Sequence, residues 1–412
     1  MQSFLFRLSF IALGLVQGAA AAEWSLADIA GRVRSHHPDL RAARLAIDEA
    51  RGRQIGSGRL ANPSIGVEWQ NESQLSPGAA VLSFDQAFPI TRKLSIEKAL
   101  TARLIEAAEY EVADGERRLI AEARSLAVKL LAIGEQRGLR ERQIALSREL
   151  SDFAKGRAEA GEISPLDAAQ AQLDAQRLLL ESRRLENEGM ALAGELKPML
   201  GLAPETELVI RGDLSVKEKP EGEDWKTRPD YLAAQTKIEA AETAVDLALA
   251  HRRPDVTAGL FAGRESQDVA GGGSEDSDFV GFRLSIPLPF WNRNQGEIAE
   301  KTAGAERARL ESEALALRIA GEADTARREM VAHAALAAET REKLLPLIIE
   351  QTDKLEKAYA AGQTDLITVL RAREQRLQFE AAALDASRDY HLARVRYEAA
   401  IGISPAAAGD SK

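Results

Sequence analysis

Cysteine is absent from the 412 residues, which excludes disulfides, thiolate metal sites, a cysteine nucleophile and a lipid-modified N-terminal cysteine. Any membrane attachment must then come from the fold itself. Aromatic residues are scarce, 5% of the chain against 45% hydrophobic and 29% charged, a balance that favours long helices over a compact mixed core. Only five histidines occur, at His36, His37, His251, His333 and His391, and no pair has the i, i+4 spacing of helical metal ligands. Beyond the N-terminus no stretch supplies the ~18 consecutive apolar residues of a membrane-spanning helix. The net charge of −10 argues against nucleic acid as a partner, because phosphate contacts need a basic surface. There is neither a Gly-x-x-x-x-Gly-Lys phosphate cradle nor a Gly-x-Ser-x-Gly nucleophile elbow. The expectation is a non-enzyme with no cofactor and no metal site.

What is present begins with an export signal. Arg7 precedes an apolar run, Leu8 to Val16, that ends in Gly18-Ala19-Ala20-Ala21-Ala22, the pattern of a signal peptide over 1–22. The remainder reads as two similar halves, 23–203 and 228–403, joined by a linker at 204–227 and followed by a polar tail at 404–412. His37-Pro38-Asp39-Leu40 answers Arg228-Pro229-Asp230-Tyr231 at an offset of 191 (229 − 38). Ala160-Gly161 answers Ala361-Gly362, and Leu200-Gly201-Leu202 answers Ile401-Gly402-Ile403, at an offset of 201 (362 − 161). Matches that keep their order while drifting by a few loop insertions mark an internal repeat.

Each half predicts the same plan. A first helix (about 25–60, then about 228–252) leads to a β-hairpin (64–89, then 255–287), a very long helix (about 92–160, then about 294–360), a turn, and a second helix (about 165–200, then about 365–402). Nearly seventy residues without proline between Pro89 and Pro165 would span ~100 Å at the helical rise. Such a helix must lie against others. Val112, Leu119, Leu126 and Ile133 recur every seven residues, Leu139, Leu146 and Phe153 continue after a one-residue shift, and Leu310, Leu317 and Val331 keep the same register in the second half. A seven-residue repeat favours left-handed coiling of neighbouring helices. An ordinary coiled-coil scaffold would explain this equally well.

The strand regions are what a scaffold does not explain. Ile65, Val67 and Trp69 alternate with Glu68, Gln70 and Glu72; Leu82, Phe84 and Phe88 alternate with Ser83 and Asp85; Val280, Phe282, Leu284 and Ile286 alternate with Gly281, Arg283 and Ser285. Period two over about nine or ten residues is the pattern of a barrel strand with one lipid face and one wet face. Val67, Trp69, Leu82, Phe84, Val280, Phe282 and Leu284 are the expected lipid face. Ser76-Pro77-Gly78 and Gly271-Gly272-Gly273 supply the turns. Four strands cannot close a barrel, and an open edge cannot face lipid. The hairpins therefore either pack as soluble sheets or join those of other copies, two copies giving eight strands and three giving twelve.

On these features the chain resembles the TolC family of outer-membrane efflux proteins over essentially all of residues 24–403. Ala158-Glu159-Ala160-Gly161-Glu162-Ile163-Ser164-Pro165-Leu166-Asp167 is similar to the family's first periplasmic turn, and Tyr359-Ala360-Ala361-Gly362-Gln363-Thr364-Asp365-Leu366-Ile367-Thr368-Val369-Leu370 to the second. Ile286-Pro287-Leu288-Pro289-Phe290-Trp291-Asn292-Arg293 resembles the strand-to-helix junction of the cobalt–zinc–cadmium resistance branch. The resemblance implies a mainly α fold with a small β part. It implies a homotrimer with a twelve-stranded barrel in outer-membrane lipid, a helical tunnel in the periplasm, a periplasmic adaptor and an inner-membrane pump of the resistance–nodulation–division type. It places adaptor docking and gating at Gly161, Glu162, Ser164, Asp167, Gly362, Gln363, Thr364, Asp365, Thr368 and Arg371. The family's acidic entrance positions fall here on Thr368 and Arg371, a departure that leaves Asp167 and Asp365 as the nearby acids. The same duct could serve organic toxicants or protein secretion in place of metal ions, and a pore-less periplasmic adaptor is the competing reading from another class.

Overall fold

The computed structural model describes residues 22–70, 78–215, 224–269 and 273–403. All but Ala22 of the expected signal peptide over 1–22, the Ser76-Pro77 and Gly271-Gly272 turns and the polar tail lie outside them. The chain runs β1 (Ala22–Ser25), α1 (Asp28–His36), α2 (Pro38–Gly56), β2 (Ser64–Gln70), β3 (Ala79–Phe88), α3 (Lys93–Glu159), α4 (Pro165–Met199) and β4 (Leu208–Arg211). After a 3₁₀ turn at Trp225–Thr227 it continues with α5 (Pro229–His251), β5 (Val256–Val269), β6 (Gly273–Ser285), α6 (Gln295–Glu339), a π turn at Thr340–Leu344, α7 (Leu345–Ala360) and α8 (Leu366–Ala400). The succession helix, β-hairpin, long helix, shorter helix thus occurs twice.

The 67 residues of α3 reach ~100 Å at 1.5 Å per residue. This helix is the spine: α1, α2, α4, α5 and α8 all pack on it, while α6 packs on α5 and α8. One core lies along α3, where Ile120, Ala123, Leu126, Leu131, Leu139 and Leu146 meet Ile29 and Val33 of α1, Leu196 of α4 and Leu370, Leu377 and Leu384 of α8. The last three are seven residues apart, so one stripe of α8 follows the spine. Another face of α8, carrying Tyr390, Ala393 and Tyr397, closes a second core with Ala323 and Met330 of α6. The seven-residue register of the first half is thus largely buried within the chain. Its second-half counterpart points outward instead: Leu317 is 77% exposed, and Leu310 and Val331 are exposed with it. On the other flank, Leu166, Leu173 and Leu180 of α4 form a second exposed stripe at the same spacing.

Four sequence expectations need correction. The helix expected over about 25–60 is broken, because Pro38 holds His37 in an extended conformation (φ −62°, ψ 122°), the restriction that proline places on its predecessor. The buried His37 then caps α2, its Nδ1 accepting from the Asp39 amide at 3.2 Å. The helix expected over about 294–360 is interrupted by the π turn. Pro346 has no amide hydrogen and would collide with the carbonyl four residues back, and one widened turn relieves both problems. The stretch expected as a linker at 204–227 contains β4, which pairs in parallel with β1 in a small two-stranded sheet. Finally, β5 and β6 have 14 and 13 residues, longer than the nine or ten expected, with Gly273 inside β6.

The hairpins form one four-stranded antiparallel sheet in the order β2-β3-β5-β6. Its register places the apolar set of every strand on the same face. Ile65, Phe84, Leu260 and Phe282 form one row, and Val67, Leu82, Ala262 and Val280 the next. No described residue covers this face: Val280 is 84% exposed, and Trp69, Leu82, Phe84, Phe282 and Leu284 are exposed too. On the opposite face Phe261 lies over Gly281 and Phe279 over Gly263. A Cβ on either glycine would come within 2.5 Å of a ring carbon, so these two positions accept no side chain while the rings stay in place.

Candidate functional site: the hairpin tips and the sheet

The two helix-to-helix turns share one construction. At the first, Gly161 adopts φ +77°, the Gly161 amide donates to the Ala158 carbonyl (3.0 Å) and the Glu162 amide to the Arg157 carbonyl (2.9 Å). At the second, Gly362 adopts φ +72°, the Gly362 amide donates to the Tyr359 carbonyl (2.9 Å) and the Gln363 amide to the Ala358 carbonyl (2.8 Å). This pattern satisfies the last carbonyls of a helix and requires a left-handed residue, which glycine supplies without a Cβ penalty. Each returning helix then starts on a side-chain cap. Ser164 Oγ accepts from the Leu166 amide (3.2 Å) ahead of Pro165, and Asp365 accepts from the Thr368 amide (2.8 Å) and from the Thr368 hydroxyl (3.2 Å). The Thr368 amide bond holds the Asp365 carboxyl below the usual aspartate range, with a smaller contribution from Arg157 across the gap between the hairpins.

These contacts bring the two turns together at one end of the bundle. Arg157 also pairs with Glu162 at 3.0 Å. Ile163 and Asp167 from the first turn and Ile367 and Arg371 from the second line one groove of about 640 Å³ between α3, α4 and α8. Gly161, Glu162, Ser164, Asp167, Gly362, Gln363, Asp365 and Arg371 are all exposed, while Thr364 and Thr368 are half-buried. Asp167 and Arg371 thus place opposite charges on one accessible surface. The tip offers paired loops held by caps, with acids and bases presented side by side, and no grouping of nucleophile and base.

A second charged cluster, which sequence reasoning passed over, lies at mid-length. Arg228 is 5% exposed. Its guanidinium forks onto Asp230 (2.6 and 3.0 Å), reaches Glu322 of α6 (3.1 Å) and donates to the Ala400 carbonyl of α8 (3.0 Å). Arg117 of α3 pairs with the buried Asp114 (2.6 Å), lies 3.9 Å from Asp230 and donates to the Ala399 carbonyl (2.7 Å). Two arginines thus cap the C-terminal end of α8 and tie it to α3, α5 and α6. The Asp230 carboxyl is pushed upward by burial, but the hydrogen bonds and charge of Arg228 outweigh this and hold it below the usual range. The signal was present in the sequence as Arg228-Pro229-Asp230, noted there only as a marker of the repeat.

Residues 225–403 match the outer membrane efflux protein family. Over that stretch the chain is similar to outer membrane efflux proteins. A curated protein similar to this chain, the cobalt-zinc-cadmium resistance protein CzcC of Cupriavidus metallidurans, is 24% identical over 265 residues. That match covers 60% of this chain and 56% of the relative, so the chain spans little more than half the relative's length. The fold of the chain is shared with solved structures at low identity. OprN superposes with a TM-score of 0.72 at 19% identity over 92% of this chain and 90% of its own. CusC gives 0.72 at 15% identity, covering 92% of each chain. VceC of Vibrio cholerae gives 0.70 at 18% identity, covering 92% of this chain and 96% of its own. No described helix is long and apolar enough to cross a membrane.

Proposed function

We propose that the chain is the outer-membrane channel subunit of a tripartite efflux system, a passive duct that assembles as a homotrimer and exports divalent heavy-metal cations. The observation that carries this reading is the sheet: four strands with a continuous apolar face and two edges, β2 and β6, that are uncovered and unpaired among the described residues. Unpaired strand edges in hydrocarbon cost several kcal/mol for each unsatisfied backbone group, so the sheet closes only with strands from further copies. Three copies give the twelve strands that the family resemblance implies. The outward stripes on α4 and on α6 lie on opposite flanks of the chain, as a ring of identical subunits in head-to-tail contact requires.

In this mechanism an inner-membrane pump of the resistance–nodulation–division type delivers substrate through a periplasmic adaptor. The duct contributes no energy. The paired turns at Gly161–Asp167 and Gly362–Arg371 dock the adaptor and form the gate, and a threefold arrangement repeats Asp167, Asp365 and Arg371 around the axis, strengthening the local field. The likeness to CzcC, named for cobalt, zinc and cadmium resistance, supports the cargo. Export and cleavage of residues 1–22 would deliver the chain to the outer membrane.

The test is deletion of the gene followed by growth across zinc, cobalt, cadmium, copper and a panel of organic toxicants. Selective sensitisation to divalent metals, restored by the intact gene, is the expected result. Sensitisation to organic compounds alone refutes the metal cargo and keeps the channel. A chain that salt washes from membranes without detergent refutes the channel and returns the pore-less adaptor.

A further inference from the structure

The end of the sheet that meets the helices carries a feature that the channel reading does not use. After β6 the chain exposes Ile286, Leu288, Phe290 and Trp291, the last 89% accessible, and Ile90 is exposed beside the end of β3. Phe290 and Trp291 stand edge to face with ring centres 6.1 Å apart. Arginines lie against these apolar groups. Arg252 and Arg253, at the C-terminal end of α5, and Arg293, ahead of α6, line one cavity of about 710 Å³ together with Thr91, Leu288 and Phe290. Arg252, Arg293 and Trp291 line an adjoining one of about 410 Å³. None of the three arginines has an ion pair among the described residues; Arg293 donates its Nε to the Pro289 carbonyl (3.2 Å), leaving the rest of its fork available. The Thr91 hydroxyl is buried and has no hydrogen-bond partner among the described residues.

Charge along the sheet is segregated. The far ends of β5 and β6 carry Glu265, Glu275, Asp276 and Asp278 against Arg264 among the described residues. The near end concentrates the three arginines. Guanidinium groups recognise phosphate oxygens through paired N–H donors, and tryptophan at the edge of an apolar band sits at headgroup level.

We propose that this arginine–aromatic collar binds the phosphodiester headgroup of an anionic phospholipid in the leaflet nearest the helices. The arginines and the Thr91 hydroxyl take the phosphate, while Leu288, Phe290 and Trp291 lie along the start of the acyl chains. The collar fixes the depth and tilt of the barrel. The inference rests on the sheet lying in the membrane.

The full chain, extracted in mixed micelles holding equal phosphatidylglycerol and phosphatidylethanolamine, is analysed by native mass spectrometry for the ratio of bound lipids. Phosphatidylglycerol is expected to dominate. Each Arg→Gln change at 252, 253 and 293 lowers the ratio about fivefold and the triple change about a hundredfold, the effect of removing one near-surface arginine at a time. The Arg→Lys changes preserve most of the preference, and Arg307→Gln on an exposed part of α6 leaves it unchanged. The Lys and Arg307 variants keep the test valid if the triple Gln variant fails to fold. A ratio near one in the intact chain, or a preference that survives the triple change, overturns the proposal. So does lipid A displacing phosphatidylglycerol in an arginine-dependent way, since its phosphates belong to the other leaflet. A chain that needs detergent for extraction but has no headgroup preference refutes the collar alone, whereas one that binds neither lipid and washes off in salt refutes the membrane sheet as well.

Discussion

Replacing Arg228 with methionine isolates what the mid-length cluster contributes. The change removes the fork onto Asp230, the contact with Glu322 and the hydrogen bond to the Ala400 carbonyl, while keeping most of the side-chain volume. Asp230, 20% exposed, is left with Arg117 at 3.9 Å as its nearest cation. Breaking a buried pair by removing one partner costs about 3–5 kcal/mol, because the remaining charge is uncompensated; a group with some solvent access should fall near the lower end. Denaturant unfolding in detergent would read the loss, and hydrogen exchange should localise it to the last turn of α8. The double change Arg228→Met, Asp230→Leu removes both charges and should recover much of the deficit, since apolar replacement of a whole pair is often nearly neutral. The sign of the pH dependence gives a second check. In the intact chain the lowered Asp230 contributes stability that is present above the ordinary aspartate value and lost as pH falls through its depressed one. Without Arg228 the burial of Asp230 raises that value, so the deficit of the single variant should shrink on mild acidification. A cost below about 1 kcal/mol, or a double variant no more stable than the single one, would refute the idea that removing Arg228 leaves Asp230 as an uncompensated charge.

Other outcomes follow from the same geometry. Gly362→Ala and Gly161→Ala meet no neighbouring atom, so each should cost only the backbone strain of a left-handed alanine, about 1–2 kcal/mol, and calorimetry should find Asn better tolerated than Ala. Gly402→Ala, at φ +80° with Arg228 Cγ 2.9 Å from the new Cβ, should cost more than either. Phe282→Arg places a charge in the middle of the exposed apolar row and should cost about 2–4 kcal/mol if lipid covers that row; a variant that still partitions fully into the outer membrane would argue against it. Burial and the neighbouring Asp213 raise the Glu135 carboxyl, against a smaller opposing effect of Arg341. Such a group loses native stability as pH rises through its raised value, so Glu135→Gln should raise the unfolding midpoint at neutral pH and confer no advantage in acid.

Much of this architecture was legible from residue order. Period two in Val67–Trp69, Leu82–Phe84 and Val280–Leu284 identified the strands and their apolar face, because a strand's faces alternate whatever it packs against. Glycine at 161 and 362, followed by Ser164-Pro165 and Asp365, located both turns, because positive φ and helix caps are local requirements. Pro346 was equally visible, yet the π turn it accompanies was missed, since proline reports that a helix is disturbed and not how the disturbance is absorbed.

What the tertiary structure decided is which of several compatible surfaces face inward. A heptad stripe reads the same whether its partner is in the same chain or another, and only packing showed Leu126 and Leu139 buried while Leu310 and Leu317 face out. The pairing of β3 with β5, which joins two hairpins some 170 residues apart into one sheet, has no local signature. Neither do the hydrogen bonds of Arg228 to the end of α8 or the convergence of Arg252, Arg253 and Arg293 beside Thr91. Dihedral preferences and hydrophobic period act over a few residues and are written in the chain; charge partners and covered faces depend on groups brought together from distant segments, and only the folded molecule specifies them.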